Sequence, residues 1–180
     1  MRILLISVLI FTGLNTVLSQ NIEEESFFDI IAPDHLKGNS SVPNVYYTST
    51  SFENILIARL KHGTDILDGL KEIAEKEGIK NAVILTGIGS VTNYHVHSVD
   101  NKTFPSENVF IKRDEPADVT NISGYVIDGK VHAHITLSDE ELAMGGHLEP
   151  NTNVFTFCII TIGILNDETS LKRFDDKTLR

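Results

Sequence analysis

Three histidines in the second half of the chain have the residue type and spacing of metal ligands. His132 and His134 alternate along an apolar strand pattern, so both side chains point to one face of that strand. A short acidic loop over 138–144 lets the chain double back, and the Gly145-Gly146 pair gives the backbone freedom to aim His147 at the first two histidines. Three converging imidazoles are a donor set that zinc uses where one coordination position stays open. The alternative is a solvated strand face that carries two histidines, with the third in a loop.

The strand that carries two of these histidines is predicted to be the second arm of a hairpin. Asp128-Gly129 is a favoured two-residue turn between two strand-like runs. This turn places Tyr125 opposite His132 and Ser123 opposite His134. Because a metal-bound histidine usually donates its other ring proton to a nearby oxygen, Tyr125 and Ser123 are candidates for that supporting role.

Three further side chains are candidates for the same site. His95 and His97 form a second alternating pair of histidines. This pair either lines the three-histidine site from a neighbouring strand or subunit, or lies on an exposed strand face. Glu149 is in phase with His147 if the chain is extended there, which makes it a candidate ligand or general base. The alternative interpretation is that Glu149 is a turn residue that faces solvent before Pro150.

The N-terminus has the pattern of a secretory signal peptide. Arg2 precedes an apolar run over residues 3–11, and small or tolerated residues stand before Gln20. The run is short for a membrane span, although an uncleaved anchor is the alternative, and the rest of the chain has no stretch apolar enough to span a bilayer. We therefore expect a secreted or periplasmic protein with no membrane span after cleavage. The predicted organisation is a signal peptide over 1–19, a lead-in over 20–50, one domain over 51–167 and a polar, loosely held tail over 168–180.

Composition narrows the class of partner. The formal net charge is -10 at pH 7, and an acidic surface repels phosphate backbones, so nucleic acid is not expected as a partner. The chain has one cysteine, Cys158, which excludes an intrachain disulfide. Because it lies inside an apolar run, we expect a buried core residue and no nucleophilic role.

The remaining patterns predict one helix among strands. A strand around 55–60 leads to a helix that Thr64 or Asp65 can cap and that Gly78 ends. Two strands are then predicted on either side of a glycine turn at 87–90. The expected fold class is α+β.

From about Asn54 to Asp167 the chain resembles the PPC family, the "plants and prokaryotes conserved" domain. The resemblance lies in Ala58-Arg59-Leu60-Lys61-His62-Gly63, Leu85-Thr86-Gly87-Ile88-Gly89-Ser90, Val131-His132-Ala133-His134 and Gly145-Gly146-His147-Leu148. It implies a mostly antiparallel, barrel-like sheet packed with one main helix, commonly assembled as a homotrimer.

The resemblance also implies what the histidines do. The PPC fold is similar to that of acetolactate decarboxylase and of a zinc-dependent ester hydrolase family, where a histidine pair and a third downstream histidine hold zinc. His132, His134 and His147 match those positions. Bacterial relatives often carry a glutamate on the last core strand where this chain has Ile159, and the chain lacks the Arg-Gly-Arg-Pro hook with which plant relatives bind DNA.

Two kinds of function therefore stay open. The first is a zinc-binding protein that acts on a small molecule, with hydrolase-like or lyase-like chemistry. The alternative is a non-enzymatic interaction module, including the DNA-binding role that the family name suggests. A third reading is that the histidines only bridge the subunits of a trimer.

Overall fold

Antiparallel strands make up most of the described chain. The computed structural model describes residues 41–178. In chain order its elements are β1 (Phe52–Lys61), α1 (Ile66–Lys76), β2 (Asn81–Val99), β3 (Asn108–Arg113), β4 (Ala117–Ile127), β5 (Lys130–Ser138), β6 (Ala143–Leu148), β7 (Asn153–Leu165) and a turn of 3-10 helix, Lys172–Asp175. The α+β class predicted from the sequence is confirmed.

All seven strands belong to one sheet. The strand order is β1-β7-β2-β4-β5-β6, and β3 pairs with β2 outside this path. β6 also pairs with β2, through Val96 opposite Leu148 and His97 opposite His147. This additional pairing joins β2, β4, β5 and β6 into a closed ring, although the sheet as a whole is not a clean barrel.

The single helix begins and ends at the residues that the sequence indicated. The Asp65 side chain accepts a hydrogen bond from the backbone N–H of Asp68, which makes Asp65 the N-cap. The helix ends at Lys76, and Gly78 follows in the left-handed region with φ 63°. Its apolar side packs against β5 and β7, and Ile66 and Leu70 are buried there.

The core lies between α1 and the inner face of the sheet. Buried side chains come from nearly every strand: Leu60, Val91, Val96, Ile122, Ile135, Leu137 and Ile160. Cys158 is fully buried among them, as its apolar surroundings in the sequence predicted. A continuous core of this kind fixes the strands that carry the histidines.

The predicted glycine turn at 87–90 is wrong, because β2 runs without interruption through it. Gly87 and Gly89 are needed for close packing of neighbouring strands. A Cβ on Gly87 would lie 2.8 Å from the Ile122 Cβ, and a Cβ on Gly89 would lie 2.2 Å from the Phe157 carbonyl oxygen. Glycine inside a strand marks such close backbone approach as well as turns. The length of β2 lets it pair with four other strands.

The C-terminal tail is held more firmly than predicted. Leu171 is buried, and its backbone N–H donates to the Asn81 side chain at 3.2 Å. The ring of Phe174 packs against Tyr46 with 4.9 Å between centroids, and the Arg173 guanidinium lies over the Tyr46 ring, 4.9 Å from its centroid. Leu171 and Phe174 thus anchor a segment that is otherwise mostly polar.

Two predictions concern residues outside the described range. They are the signal peptide over 1–19 and most of the lead-in, residues 20–40. Within 41–178, no helix has the length and apolar character to cross a membrane.

Candidate metal centre

The hairpin that carries the first two histidines forms as predicted. Asp128 and Gly129 both have positive φ, 51° and 77°, as a type I′ turn requires. Tyr125 pairs with His132 and Ser123 pairs with His134, in the register expected from the sequence. Both histidine side chains are exposed on the same face of β5.

His147 lies beside this pair because β6 runs antiparallel to β5. His134 and His147 are directly opposite each other in that pairing. The His147 ring centroid is 4.7 Å from that of His132 and 5.3 Å from that of His134. One nitrogen from each of the three rings lies within 4.8 Å of the others, so the group could hold a metal ion.

The two glycines before His147 were predicted to give the backbone conformational freedom, but they have a different role in the structure. Gly145 and Gly146 lie inside β6 and not in a turn, and neither has positive φ. A Cβ on Gly145 would lie 2.4 Å from the Ile135 carbonyl oxygen, and one on Gly146 would lie 2.5 Å from the His97 carbonyl oxygen. Because both residues lack a side chain, β6 fits closely between β5 and β2.

The surroundings of His134 and His147 favour the neutral form of these two imidazoles. Burial is the main cause that lowers the pKa of His134, and His132 and His97 lower it further. Burial likewise lowers the pKa of His147, together with His132, His97 and His134, while Glu149 opposes the shift. Neutral imidazole is the form that binds metals.

His97 and Glu149 lie on the other side of His147. The His97 and His147 rings are stacked with 4.5 Å between centroids. His97 Nδ1 is 2.6 Å from Glu149 Oε1, and the two side chains are only 18% and 23% exposed. Glu149 is therefore turned into the site and does not face solvent.

The turn after β6 is held by Thr152, which sequence reasoning missed, and by Asp65, for which the sequence predicted only the helix-capping role. Both keep Glu149 in this position. Asp65 Oδ2 accepts hydrogen bonds from the backbone N–H groups of Asn151, at 2.5 Å, and Thr152, at 3.2 Å. Thr152 is fully buried. Its Oγ1 lies 3.0 Å from the backbone nitrogen of His95 and 3.1 Å from the Glu149 carbonyl oxygen. No local sequence signal links the helix N-cap to this turn, which is 86 residues away.

The other predicted residues lie around the cluster. His95 Nδ1 is 3.0 Å from the Pro150 carbonyl oxygen, which directs His95 to the turn and away from the three-histidine group. Tyr125 and Ser123 border the site, yet the histidine-ring hydrogen bonds within 41–178 involve His62, His95 and His97. The supporting role of the two hydroxyls stays a prediction.

Two grooves meet at His132. The first has a volume of about 490 Å³ and is lined by β2, β4 and β5 residues that include Val83, Leu85 and His134. The second, about 360 Å³, is lined by Ile127 and by the docked tail through Leu171 and Phe174. Both grooves include Tyr125 and His132. A small ligand at the histidines would therefore contact mostly apolar walls.

Residues 47–166 match the family model of the Plants and Prokaryotes Conserved (PCC) domain. The match covers more than half of the chain, so the protein belongs to this family, and the resemblance seen in the sequence is confirmed. No curated protein matches the chain.

Solved structures agree in fold. A metal-containing protein of Archaeoglobus fulgidus is 27% identical with a TM-score of 0.61, covering 68% of this chain and 86% of its own. A plant- and prokaryote-conserved protein of Pyrococcus horikoshii is also 27% identical, with a TM-score of 0.56 and coverage of 69% and 87%. A protein of Bacteroides thetaiotaomicron proposed to bind DNA is 20% identical with a TM-score of 0.53, covering 66% and 83%, a likeness that shows the fold alone.

Proposed function

We propose that this protein binds a divalent metal ion, zinc, through His132, His134 and His147, and acts on a small molecule there. The observation that carries the proposal is the convergence of the three ring nitrogens to within 4.8 Å of one another. The similar Archaeoglobus fulgidus protein, which is described as metal-containing, supports it.

The donor set fits zinc. Three neutral imidazoles from two adjacent strands leave part of the coordination sphere open toward the grooves at His132. A zinc ion held there would polarise a carbonyl oxygen of the ligand, which suits hydrolase-like or lyase-like chemistry. The chain's own side chains would orient the ligand: Tyr125 borders both grooves, and the apolar walls exclude water from one side.

The protein is further proposed to be secreted or periplasmic and to assemble as a homotrimer. The signal-peptide pattern at 1–19 supports the first point. The outer face of β1, β7 and β2 supports the second, since it exposes several large apolar side chains: Ile55, Ile57, Ile88, Phe155 and Phe157. Faces of this kind mark interaction surfaces.

The first test is the zinc content of the untagged protein beside His134→Ala. The wild type is expected to hold at least one zinc ion per chain, and the variant is expected to bind zinc at the three-histidine position at least tenfold more weakly. His62→Ala, at the exposed end of β1, is the matched control and should bind zinc like the wild type. If the wild-type protein does not bind zinc, the proposal is wrong.

The alternative function is a non-enzymatic module, including DNA binding. The family and the Bacteroides thetaiotaomicron neighbour are the reasons to test it. The net charge of -10 argues against it. A gel shift of duplex DNA that weakens steeply between low and physiological salt would favour this alternative.

A further inference from the structure

A second group of ligand-type side chains shares His147 with the first. One ligand atom from each of His97, His147 and Glu149 lies within 4.8 Å of the other two. All three residues are more shielded from solvent than the exposed His132 and His134. The chain therefore presents two overlapping three-residue donor sets on one face of its sheet.

The topology explains why His147 belongs to both sets. β6 runs between β5 and β2 at this point, so His147 is opposite His134 on one side and opposite His97 on the other. Its ring centroid is 5.3 Å from that of His134 and 4.5 Å from that of His97. An imidazole carries two ring nitrogens on different edges, so one ring can offer a donor to each side.

We infer that His97 and Glu149 form a second position for a divalent cation, next to the position at His132 and His134, with His147 shared between the two. The inference rests on the proposed function only through His147. If both positions were filled, His147 would have to offer one ring nitrogen to each ion, and its N–H proton would pass to solvent. The chain would then hold two cations about one bridging imidazolate.

The donor chemistry of this second position differs from that of the first. Two imidazoles and one carboxylate suit zinc and also ferrous iron. The carboxylate supplies a negative charge that the three-histidine set lacks, and this charge offsets part of the repulsion between two cations held close together.

The backbone around Glu149 is already fixed in position for such a role. The Glu149 N–H donates to the His95 carbonyl oxygen at 3.0 Å. The carbonyl oxygen of Glu149 is 3.1 Å from the buried Thr152 hydroxyl, and Asp65 holds the next turn. A donor held by these contacts loses little conformational freedom when it binds a cation.

The test is a zinc titration of the EDTA-treated protein, with bound zinc measured by elemental analysis after desalting. The wild type is expected to hold two zinc ions per chain. The double variants His97→Ala/Glu149→Gln and His132→Ala/His134→Ala should each hold one, and His147→Ala should hold neither tightly. His62→Ala/Glu140→Gln, which changes the same residue types at exposed positions, should still hold two.

Circular dichroism and thermal melts establish that each variant is folded. The milder Glu149→Gln keeps the side-chain shape, and we expect it to weaken the second zinc at least tenfold while the first is unchanged.

The outcomes separate this inference from the proposed function. One zinc per chain in both the wild type and His97→Ala/Glu149→Gln would overturn the second position and leave His97 and Glu149 as a hydrogen-bonded pair. Zinc that survives His132→Ala/His134→Ala but is lost in His97→Ala/Glu149→Gln would support the second position and contradict the first. Tight binding of either ion by His147→Ala would overturn the shared arrangement.

Discussion

His147 is the residue on which both donor sets depend. It is reached from two sides because Gly145 and Gly146, which precede it, have no side chains to hold the neighbouring strands apart. The carbonyl oxygens of Ile135 and His97 occupy the space that their side chains would need. The convergence of the two candidate donor sets thus depends on two residues that carry no functional group.

Cys158 shows how a reactive residue type is made inert. It is fully buried in β7, and burial raises the pKa of its thiol to about 12. The thiolate is the reactive form, so its fraction at pH 8 is on the order of one in ten thousand in the folded protein. Cys158 is a core residue, and it is neither a ligand nor a nucleophile of the candidate site.

We predict that a disulfide reagent such as Ellman's reagent modifies the native protein very slowly at pH 8. One thiol per chain should react in guanidinium chloride, and the native rate should be at least about a hundredfold lower. Time courses of absorbance at both conditions measure the ratio. Rapid modification of the native protein would contradict the packing of β7 described above.

The C-terminal segment borders the second groove at His132, so its position would affect any ligand bound in that groove. Leu171 and Phe174 form one wall of the groove that ends at His132. Phe174 is kept in place by its contact with Tyr46 in the segment before β1. A ligand whose polar end reaches the histidines can therefore place an apolar group against the tail.

We predict that the zinc-loaded protein prefers longer straight-chain hydroxamates and that Phe174→Ala removes this preference. Each buried methylene contributes about 0.8 kcal/mol, or roughly fourfold in affinity. Titration calorimetry on a series of chain lengths measures the slope, which should flatten in the variant while the shortest ligand binds unchanged.

Tyr47→Ala is the matched control, because Tyr47 is 80% exposed and does not line the groove. An equal slope in the wild type and Phe174→Ala would show that the tail does not contact the ligand.

At the scale of the whole molecule, one sheet face is not covered by any other element within residues 41–178. Ile57 is 72% exposed and Ile88 is 54% exposed, on the side of β1, β7 and β2 that faces away from α1. The register places Ile159 opposite Ile88 on one side and Arg59 on the other, so charged and polar side chains are interspersed with the apolar ones on this face. Burial of this face against further copies of the chain would remove it from water.

Ile57→Glu is predicted to convert a trimer into monomers. The charge would have to be desolvated in the interface, and β1 is an edge strand, so the fold itself should tolerate the change. Light scattering after size exclusion gives the mass, and thermal melts verify folding. Val109→Glu on β3 changes another exposed aliphatic residue, 44% exposed, and should leave the mass unchanged. A monomeric wild type would contradict the proposal.

The sequence by itself determined the features that depend on residues close together along the chain. Alternation placed His132 and His134 on one face, Asp128-Gly129 fixed the hairpin register, and the Asp65 cap began the helix. These are local effects, set by backbone geometry and by hydrogen bonds between residues a few positions apart.

The tertiary structure alone decided what depends on strands that meet from distant parts of the chain. The pairing of β6 with β2 brings His97 onto His147, and the contact of Asp65 with the 149–152 turn directs Glu149 inward. Gly87, Gly89, Gly145 and Gly146 resemble turn residues in the sequence, yet they serve close strand packing. Whether a glycine turns the chain or admits a neighbouring backbone depends on which strand lies beside it, and that is fixed only when the whole sheet forms.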